Sequence, residues 1–310
     1  MERAKVQDIA TKPVSAALFM VGAMLIIGAI DNVIVVLAEE IGLWQFHFTR
    51  ALIAIPLVIG LSLIGLGTVR PRRWWAVAVR SGLVAVSMLF YFSALALMPI
   101  AQALAGLFTS PIFILIITAL VLKQRIGPWR ILAVAIGFSG ILLVLQPDPQ
   151  NFSWVTFLPV AGGFFYALSA ISTRTLCAGE STVALLAGMW LTLGTMGAVG
   201  LVVLSVWPME AVAGPDGFVT RGWTWPMWHA APYVVLQAFG SVAGVFMIIK
   251  AYQLGEPSYV SIFEYSVMIF GPLYALVLFG QTMDGVQLVG IGLIILAGAV
   301  IALRSREGEA

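Results

Sequence analysis

Residues 14–38 read VSAALFMVGAMLIIGAIDNVIVVLA, twenty-five positions with a single formal charge, Asp31. A helix of that length rises about 37 Å at 1.5 Å per residue, enough to cross a hydrocarbon core of roughly 30 Å. Nine more apolar stretches follow, at 43–66, 74–97, 101–122, 128–146, 154–176, 182–206, 229–254, 258–280 and 286–304. Inside a bilayer the backbone must satisfy its own polar groups, so continuous runs of this kind are helical. Short alternating segments of the barrel kind are absent from the sequence. The expected fold is all-α and integral to the membrane, with ten transmembrane helices.

Composition points the same way. Hydrophobic residues make up 61% of the 310 positions and charged residues 10%, where a soluble domain carries about 25% charge. A water-facing surface built from this chain would expose large apolar patches. The net charge of +2 offers no basic face for nucleic acid. One cysteine, Cys177, excludes an internal disulfide. With only His47 and His229 beside it, a metal site has few ligands to draw on. Zinc-protease, nucleophile-elbow and phosphate-loop motifs are all missing, so neither ATP drive nor a cofactor is expected.

The charges between spans orient the chain. With the N-terminus in the cytoplasm, twelve of the sixteen lysines and arginines fall in inside segments, among them Arg70, Arg72, Arg73, Lys123, Arg125 and Arg130. The outside loops hold Arg221, and Arg50, Arg80 and Lys250 lie within spans. That asymmetry is the positive-inside pattern, and it places both termini in the cytoplasm. The first span is too long for a leader's apolar region and contains Asp31-Asn32, so it reads as a retained helix. The long outer segment 207–228 carries Trp207, Trp223 and Trp225, with Trp228 just after it. It reads as an aromatic segment resting on the outer leaflet, with a lid over an outer opening as the alternative.

Ten spans divide into two groups of five, expected as 1–147 and 148–310. An odd number per half makes the halves inverted in the membrane. Residues 94–145 and 251–302 share an order of features. Each has an apolar end, a break at Pro99 or Pro257, a run containing Pro111 or Pro272, a polar turn and a glycine-containing span. An offset of 157 aligns Leu97 with Leu254, Phe113 with Phe270 and Gln124 with Gln281.

These features together resemble the EamA family of the drug/metabolite transporter superfamily. The resemblance is carried by Leu43–Arg50, Arg80-Ser81-Gly82, Ala94–Pro99, Thr109-Ser110-Pro111, and Gly137–Gly140 with Gln146-Pro147. In the second half it is carried by Phe263-Glu264-Tyr265, Phe279-Gly280 and the Gly290–Gly298 spacing. Asp31-Asn32 is similar to a subgroup that includes importers of riboflavin and S-adenosylmethionine. Members usually end the fourth and ninth helices with Gly-Glu, where this chain has Lys123-Gln124 and Gly280-Gln281. Roles of those glutamates do not carry over, and the change is expected to bear on packing or gating. The resemblance implies a site between the halves, lined by helices 1, 3, 4, 6, 8 and 9, and residence in a bacterial inner membrane.

Ionisable groups inside spans are the candidates for chemistry, because each costs about 2.5–3.5 kcal/mol on insertion scales unless compensated. Asp31 and Arg50 flank the first outer turn at similar depth, roughly 10 Å below its end. They are expected to pair, as a static clasp or as a switchable site. His47 lies one helical turn from Arg50 and reads as either a packing residue or a titrating group. Glu264 stands beside Tyr265 with no basic neighbour in sequence; it can carry a proton or hold a cationic substrate, with Tyr265, Tyr91 or Phe90 supplying aromatic faces. Arg80 sits six residues into its span, and Lys250 lies near enough to its helix end to snorkel. Gln102, Thr109, Ser110, Ser258 and Ser261 are on the fourth and ninth spans. They can line the same cavity or bond between helices. Pro111 and Pro272 bend their helices. Gly137, Gly140, Gly290, Gly292 and Gly298 read as packing positions.

The expected substrate-binding set is Asp31, Arg50, Glu264, Tyr265, Tyr91 and Gln102, and the expected gating or coupling set is Asp31, Glu264, His47 and Arg80. The function read from them is secondary transport of a small zwitterion or organic cation by alternating access, with protons as a possible coupling ion. Multidrug export of hydrophobic cations, an intramembrane enzyme using Asp31 and Glu264, and a non-transporting scaffold are the alternatives. The expected partners are a small-molecule substrate and membrane lipid, in a monomer or homodimer.

Overall fold

A computed structural model of the chain describes residues 12–97, 100–146, 150, 154–280 and 282–307. Pro99, Pro147 and Gln281, and the side chain of Gln102, lie outside the described residues. Among the described residues every regular element is helical. The order is α1 (Pro13–Asp31), α2 (Ile34–Glu40), α3 (Leu43–Leu63), α4 (Trp74–Leu97), α5 (Ile100–Leu107), α6 (Ser110–Leu120) and α7 (Pro128–Leu145). Then come α8 (Phe157–Arg174), α9 (Thr182–Val206), α10 (Ala230–Leu254), α11 (Pro257–Val260), α12 (Val267–Phe279) and α13 (Gly285–Glu307). Among the described residues, seven helical segments are long and apolar enough to cross a membrane by length and composition, and the expected spans 154–176, 258–280 and 286–304 are not among them. Their outward faces carry Leu63, Leu120 and Val202, exposed at 82%, 72% and 62%, which only lipid would cover. The chain is a multi-pass membrane protein.

Three of the ten apolar stretches are broken where unbroken helices were expected. The first stops at Asp31 and restarts at Ile34; the Asn32 amide donates back to the Gly28 carbonyl at 2.7 Å and competes with the helical ladder. The fourth breaks between Leu107 and Ser110. Pro111 has no N–H to continue the ladder, and the Thr109 hydroxyl donates to the Gly106 carbonyl at 2.6 Å. The ninth passes through a 3-10 segment, Ser261–Ser266, before α12. Each break is short and lies inside a long apolar stretch, so hydropathy averaged over a whole span does not announce it.

The offset of 157 recurs in the helix starts: Ile100 and Pro257, Ser110 and Val267, Pro128 and Gly285. The main helix pairings are α7 with α13, α1 with α10, α3 with α9 and α4 with α8. Close approach between α7 and α13 is made by glycine. A Cβ on Gly140 would stand 2.7 Å from the Gly290 carbonyl oxygen. The departures from Gly-Glu have a backbone consequence. Lys123 sits at φ +52° and Gly280 at φ +66°, a left-handed region that costs a side-chain-bearing residue roughly 1–2 kcal/mol.

At one end of the bundle, near the arginine-rich loop, the backbone amides of Arg72 and Arg73 donate to the Glu180 carboxylate at 2.9 and 2.6 Å. Arg130 at the start of α7 pairs with Glu256 and donates to Ser258 at 2.8 Å.

The opposite end is covered by the segment between α9 and α10. Its tryptophans are exposed, Trp207 at 69% and Trp228 at 71%, as an aromatic segment at the lipid surface requires. The same segment is also pinned down. The Arg221 guanidinium donates to the carbonyls of Ala38, Ile41, Val212 and Gly214, at 2.5–3.3 Å. The fully buried Gln45 amide donates to the Thr224 carbonyl at 2.8 Å and accepts from its N–H and hydroxyl, both at 2.9 Å. Phe218 is 1% exposed and packs in one cluster with Phe46, Tyr91 and Phe92.

Replacing Arg221 with alanine removes a charged donor from four carbonyls, a loss of several kcal/mol at roughly 1.5–3 kcal/mol per charged bond. Cys177 is fully buried, and burial pushes its thiol up to about 11, so it stays silent to maleimide near neutral pH. A Val219→Cys probe therefore reads alone. Its labelling is expected to speed up at least ~10-fold when Arg221→Ala is added, as local opening becomes cheaper. Unchanged labelling would show that the loop does not depend on Arg221.

Candidate functional site

The three helix breaks surround one cavity. A cavity of about 150 Å³ lies between α1, α3, α4, α5, the start of α6, α8, α9, α10 and the Ser261–Ser266 segment. Asp31, Arg50, Arg80, Tyr91, Ser110 and Glu264 all line it. The wall takes residues from the second and seventh apolar stretches as well as those the family resemblance implied, through Arg50, Met189, Trp190 and Leu193. None comes from α7 or α13, which pack on each other.

Asp31 ends α1 at the first break. The expected ion pair with Arg50 does not form: no contact within 4 Å joins them, although both face the cavity. Arg50 is held by other helices. Its Nη1 donates to Gln237 Oε1 on α10 at 3.3 Å, and its Nη2 lies 3.3 Å from His47 Nδ1. The guanidinium also lies over Phe46 at 4.4 Å and Trp190 at 4.9 Å, contacts that favour a desolvated cation. Gln237 ties this group to the first break, donating from Nε2 to the Ile30 carbonyl at 2.6 Å. Ser241 donates to Gln237 Oε1 at 3.1 Å. Among the described residues the Asp31 carboxyl group, which faces the cavity, has no hydrogen-bond partner.

His47 is 1% exposed and sits behind Arg50 rather than on the cavity wall. A guanidinium only donates, so Nδ1 accepts and the proton sits on Nε2, which has no partner.

Glu264 lies in the third break and is 2% exposed. Its partners are tyrosines that sequence reasoning passed over. Tyr166 of α8 and Tyr252 of α10 donate to its Oε1, at 2.9 and 2.5 Å. Arg80 is 4% exposed; Nε donates to Thr173 Oγ1 at 3.2 Å and Nη1 to the Leu185 carbonyl at 3.4 Å.

Tyr265 is fully buried away from the cavity, against Gly137. Phe90 stacks on Phe165 with centroids 5.8 Å apart. Thr109 bonds its own helix end, and Ser258 bonds Arg130. Ser261 is buried with its hydroxyl unpartnered, and Lys250 is half-buried on α10. Gln237, Ser241, Tyr166 and Tyr252 carry no charge, so a search for ionisable residues at depth misses them. Their signal is a bonding side chain in the middle of an apolar run.

A bundle of lipid-facing helices around a buried cavity that holds both signs of charge defines a membrane transporter. Residues 14–146 match the model of the EamA-like transporter family. The chain is 26% identical over 268 residues to a riboflavin transporter of Rhizobium johnstonii, an alignment spanning 86% of this chain and 81% of that one. It is 26% identical over 296 residues to a riboflavin transporter of Vibrio cholerae, spanning 93% of each chain. An S-adenosylmethionine uptake transporter of Rickettsia bellii is 22% identical over 269 residues, spanning 86% of this chain and 84% of that one. A solved crystal structure shares the fold, with a TM-score of 0.78 over 96% of this chain and 99% of its own, at 19% identity. Over most of its length the chain is thus similar to proteins named as transporters of small metabolites.

Proposed function

We propose that this protein is a secondary transporter that carries riboflavin or a closely related flavin across a bacterial cytoplasmic membrane by alternating access. One observation carries the reading: Asp31, Arg50, Arg80 and Glu264 meet a single cavity where three membrane helices break. Broken helices at mid-membrane are how transporters build solute sites without exposing bare backbone to lipid. The two five-helix halves, 1–147 and 148–310, are read as inverted repeats rocking about this cavity. The shared offset of 157 in their helix starts supports that. So do the pairings, since exchanging the halves turns α1–α10 into α8–α4 and leaves α7–α13 and α3–α9 as pairs. The arginine-rich loop is read as cytoplasmic and the tryptophan-bearing segment as external, with both termini inside.

The cavity favours the flavin over a simple cation. Two guanidinium and two carboxyl groups in their ordinary states sum to zero, which suits an uncharged or zwitterionic solute. Riboflavin is uncharged and joins a flat ring to a polyol. The relatives named above as riboflavin transporters align over most of the chain.

Uptake of labelled riboflavin into vesicles containing the purified protein tests the reading. Saturable uptake, competed by unlabelled riboflavin and weakly by simple amines, is expected. Absence of saturable uptake overturns it, and stronger competition by assorted hydrophobic cations would reassign the protein to multidrug export.

A further inference from the structure

The cavity is long, and its polar groups gather at its two ends. Arg80 and Tyr91 both line it from α4, eleven residues apart, or roughly 16 Å along the helix at 1.5 Å per residue. Gln237 and Ile248 line it from α10 over the same interval.

One cluster lies at the Tyr91 end. Arg50 sits 5.8 Å from the ring of Phe92 and bonds Gln237, which bonds the carbonyl beside Asp31. The other lies at the Arg80 end. Glu264 is held by Tyr252, two residues from the end of α10, and by Tyr166. Arg80 there bonds Thr173, one residue from the end of α8. Between the clusters the wall is apolar, formed by Met24, Ile27, Val84, Met88 and Leu104.

Each cluster therefore holds one guanidinium and one carboxyl group that are bonded to other partners and not to each other. Among the described residues the Asp31 carboxyl group has no hydrogen-bond partner. Both tyrosines bond the same oxygen of Glu264, and among the described residues no hydrogen bond to Oε2 is formed. A site that carries both signs at each end selects groups that donate and accept side by side, such as an imide edge or a polyol. A net charge added at either end would find an opposing group and a like one together. A compact amino acid fills one cluster and leaves the apolar middle wet.

We propose that the site recognises a two-ended, uncharged solute with a flat apolar middle, and that each cluster reads one end: Asp31, Arg50 and Gln237 one, Glu264, Arg80 and Tyr166 the other. This rests on the transport reading above and goes beyond it by dividing the recognition between two separate groups.

Equilibrium binding to the purified full chain tests it with three probes. They are riboflavin, lumichrome (the ring without the polyol) and riboflavin 5′-phosphate. Lumichrome is expected to bind at least ~10-fold more weakly than riboflavin, and the phosphate ester about 100-fold more weakly, since the cavity holds no spare positive charge. Asp31→Asn and Glu264→Gln are isosteric, and thermal unfolding confirms that each is folded. One of the two variants is expected to bind riboflavin and lumichrome equally, because its cluster no longer reads the polyol, while the other keeps the full difference. If both variants keep the difference, or both weaken all three probes by one factor, the division into two reading ends is overturned while flavin binding stands. If riboflavin does not bind the unaltered chain, the flavin reading and this proposal fall together.

Discussion

Glu264→Gln is expected to lower the initial rate of substrate uptake by about 100-fold, equivalent to some 2.7 kcal/mol, while the protein still folds. The glutamine side-chain carbonyl has the same length and still accepts from Tyr166 and Tyr252, now at 2.9 and 2.5 Å from the carboxylate. Two charge-assisted bonds become neutral ones, a loss of about 1 kcal/mol each. Removing a buried charge offsets part of that. The melting temperature should therefore move by only a few degrees, at ~2–4 °C per kcal/mol. What glutamine cannot do is carry a negative charge or exchange a proton. Those are the properties a coupling site in the third helix break would use. Uptake in vesicles, normalised to folded protein, checks the prediction. Retained uptake would remove Glu264 from the mechanism and leave the tyrosine cluster as a packing feature.

Seven of the ten expected spans were legible because they satisfy one strong condition, apolar length. Leu43, Trp74, Pro128 and Thr182 begin helices at or within a residue of the positions read from hydropathy. The breaks were not legible, because they rest on side-chain bonds from Asn32, Thr109 and Ser266 back to main-chain carbonyls about one turn earlier, which hydropathy averaged over a span does not register.

The same distinction holds at the site. Burying a charge is expensive, so Asp31, Arg50, Arg80 and Glu264 stand out in an apolar run, and all four line the cavity. Their partners depend on which helices meet. Arg50 bonds Gln237, 187 positions away, in preference to the acid on the neighbouring helix. Tyr265 looked available because it adjoins Glu264. In the 3-10 segment the two side chains diverge, and Tyr265 fills the space left by Gly137. Nothing local in the sequence separates it from Tyr166 or Tyr252, which do reach the carboxylate.

Gly140→Val is expected to have the opposite profile to Glu264→Gln. A Cβ at Gly140 would stand 2.7 Å from the Gly290 carbonyl oxygen and 2.9 Å from Ile294 Cγ1. The nearer of these is backbone, so no rotamer change relieves it, and α7 and α13 must separate. Inside a membrane no hydrophobic force drives those helices back together; close packing supplies the attraction. Overpacking typically costs about 1–3 kcal/mol, and a backbone clash between two closely packed helices belongs at or above the top of that range. A melting temperature lower by ~5–10 °C or more is expected, at ~2–4 °C per kcal/mol, with a poorer yield of folded protein. Uptake per folded molecule should stay near the unaltered value, because α7 and α13 contribute no side chain to the cavity wall. Gly292→Val is the control: a Cβ there meets nothing within 4 Å, so it should leave both stability and uptake unchanged. If Gly140→Val instead lost uptake while keeping its melting temperature, the α7–α13 contact would have to move during the transport cycle. It would then be part of the rocking surface and not a fixed support for it.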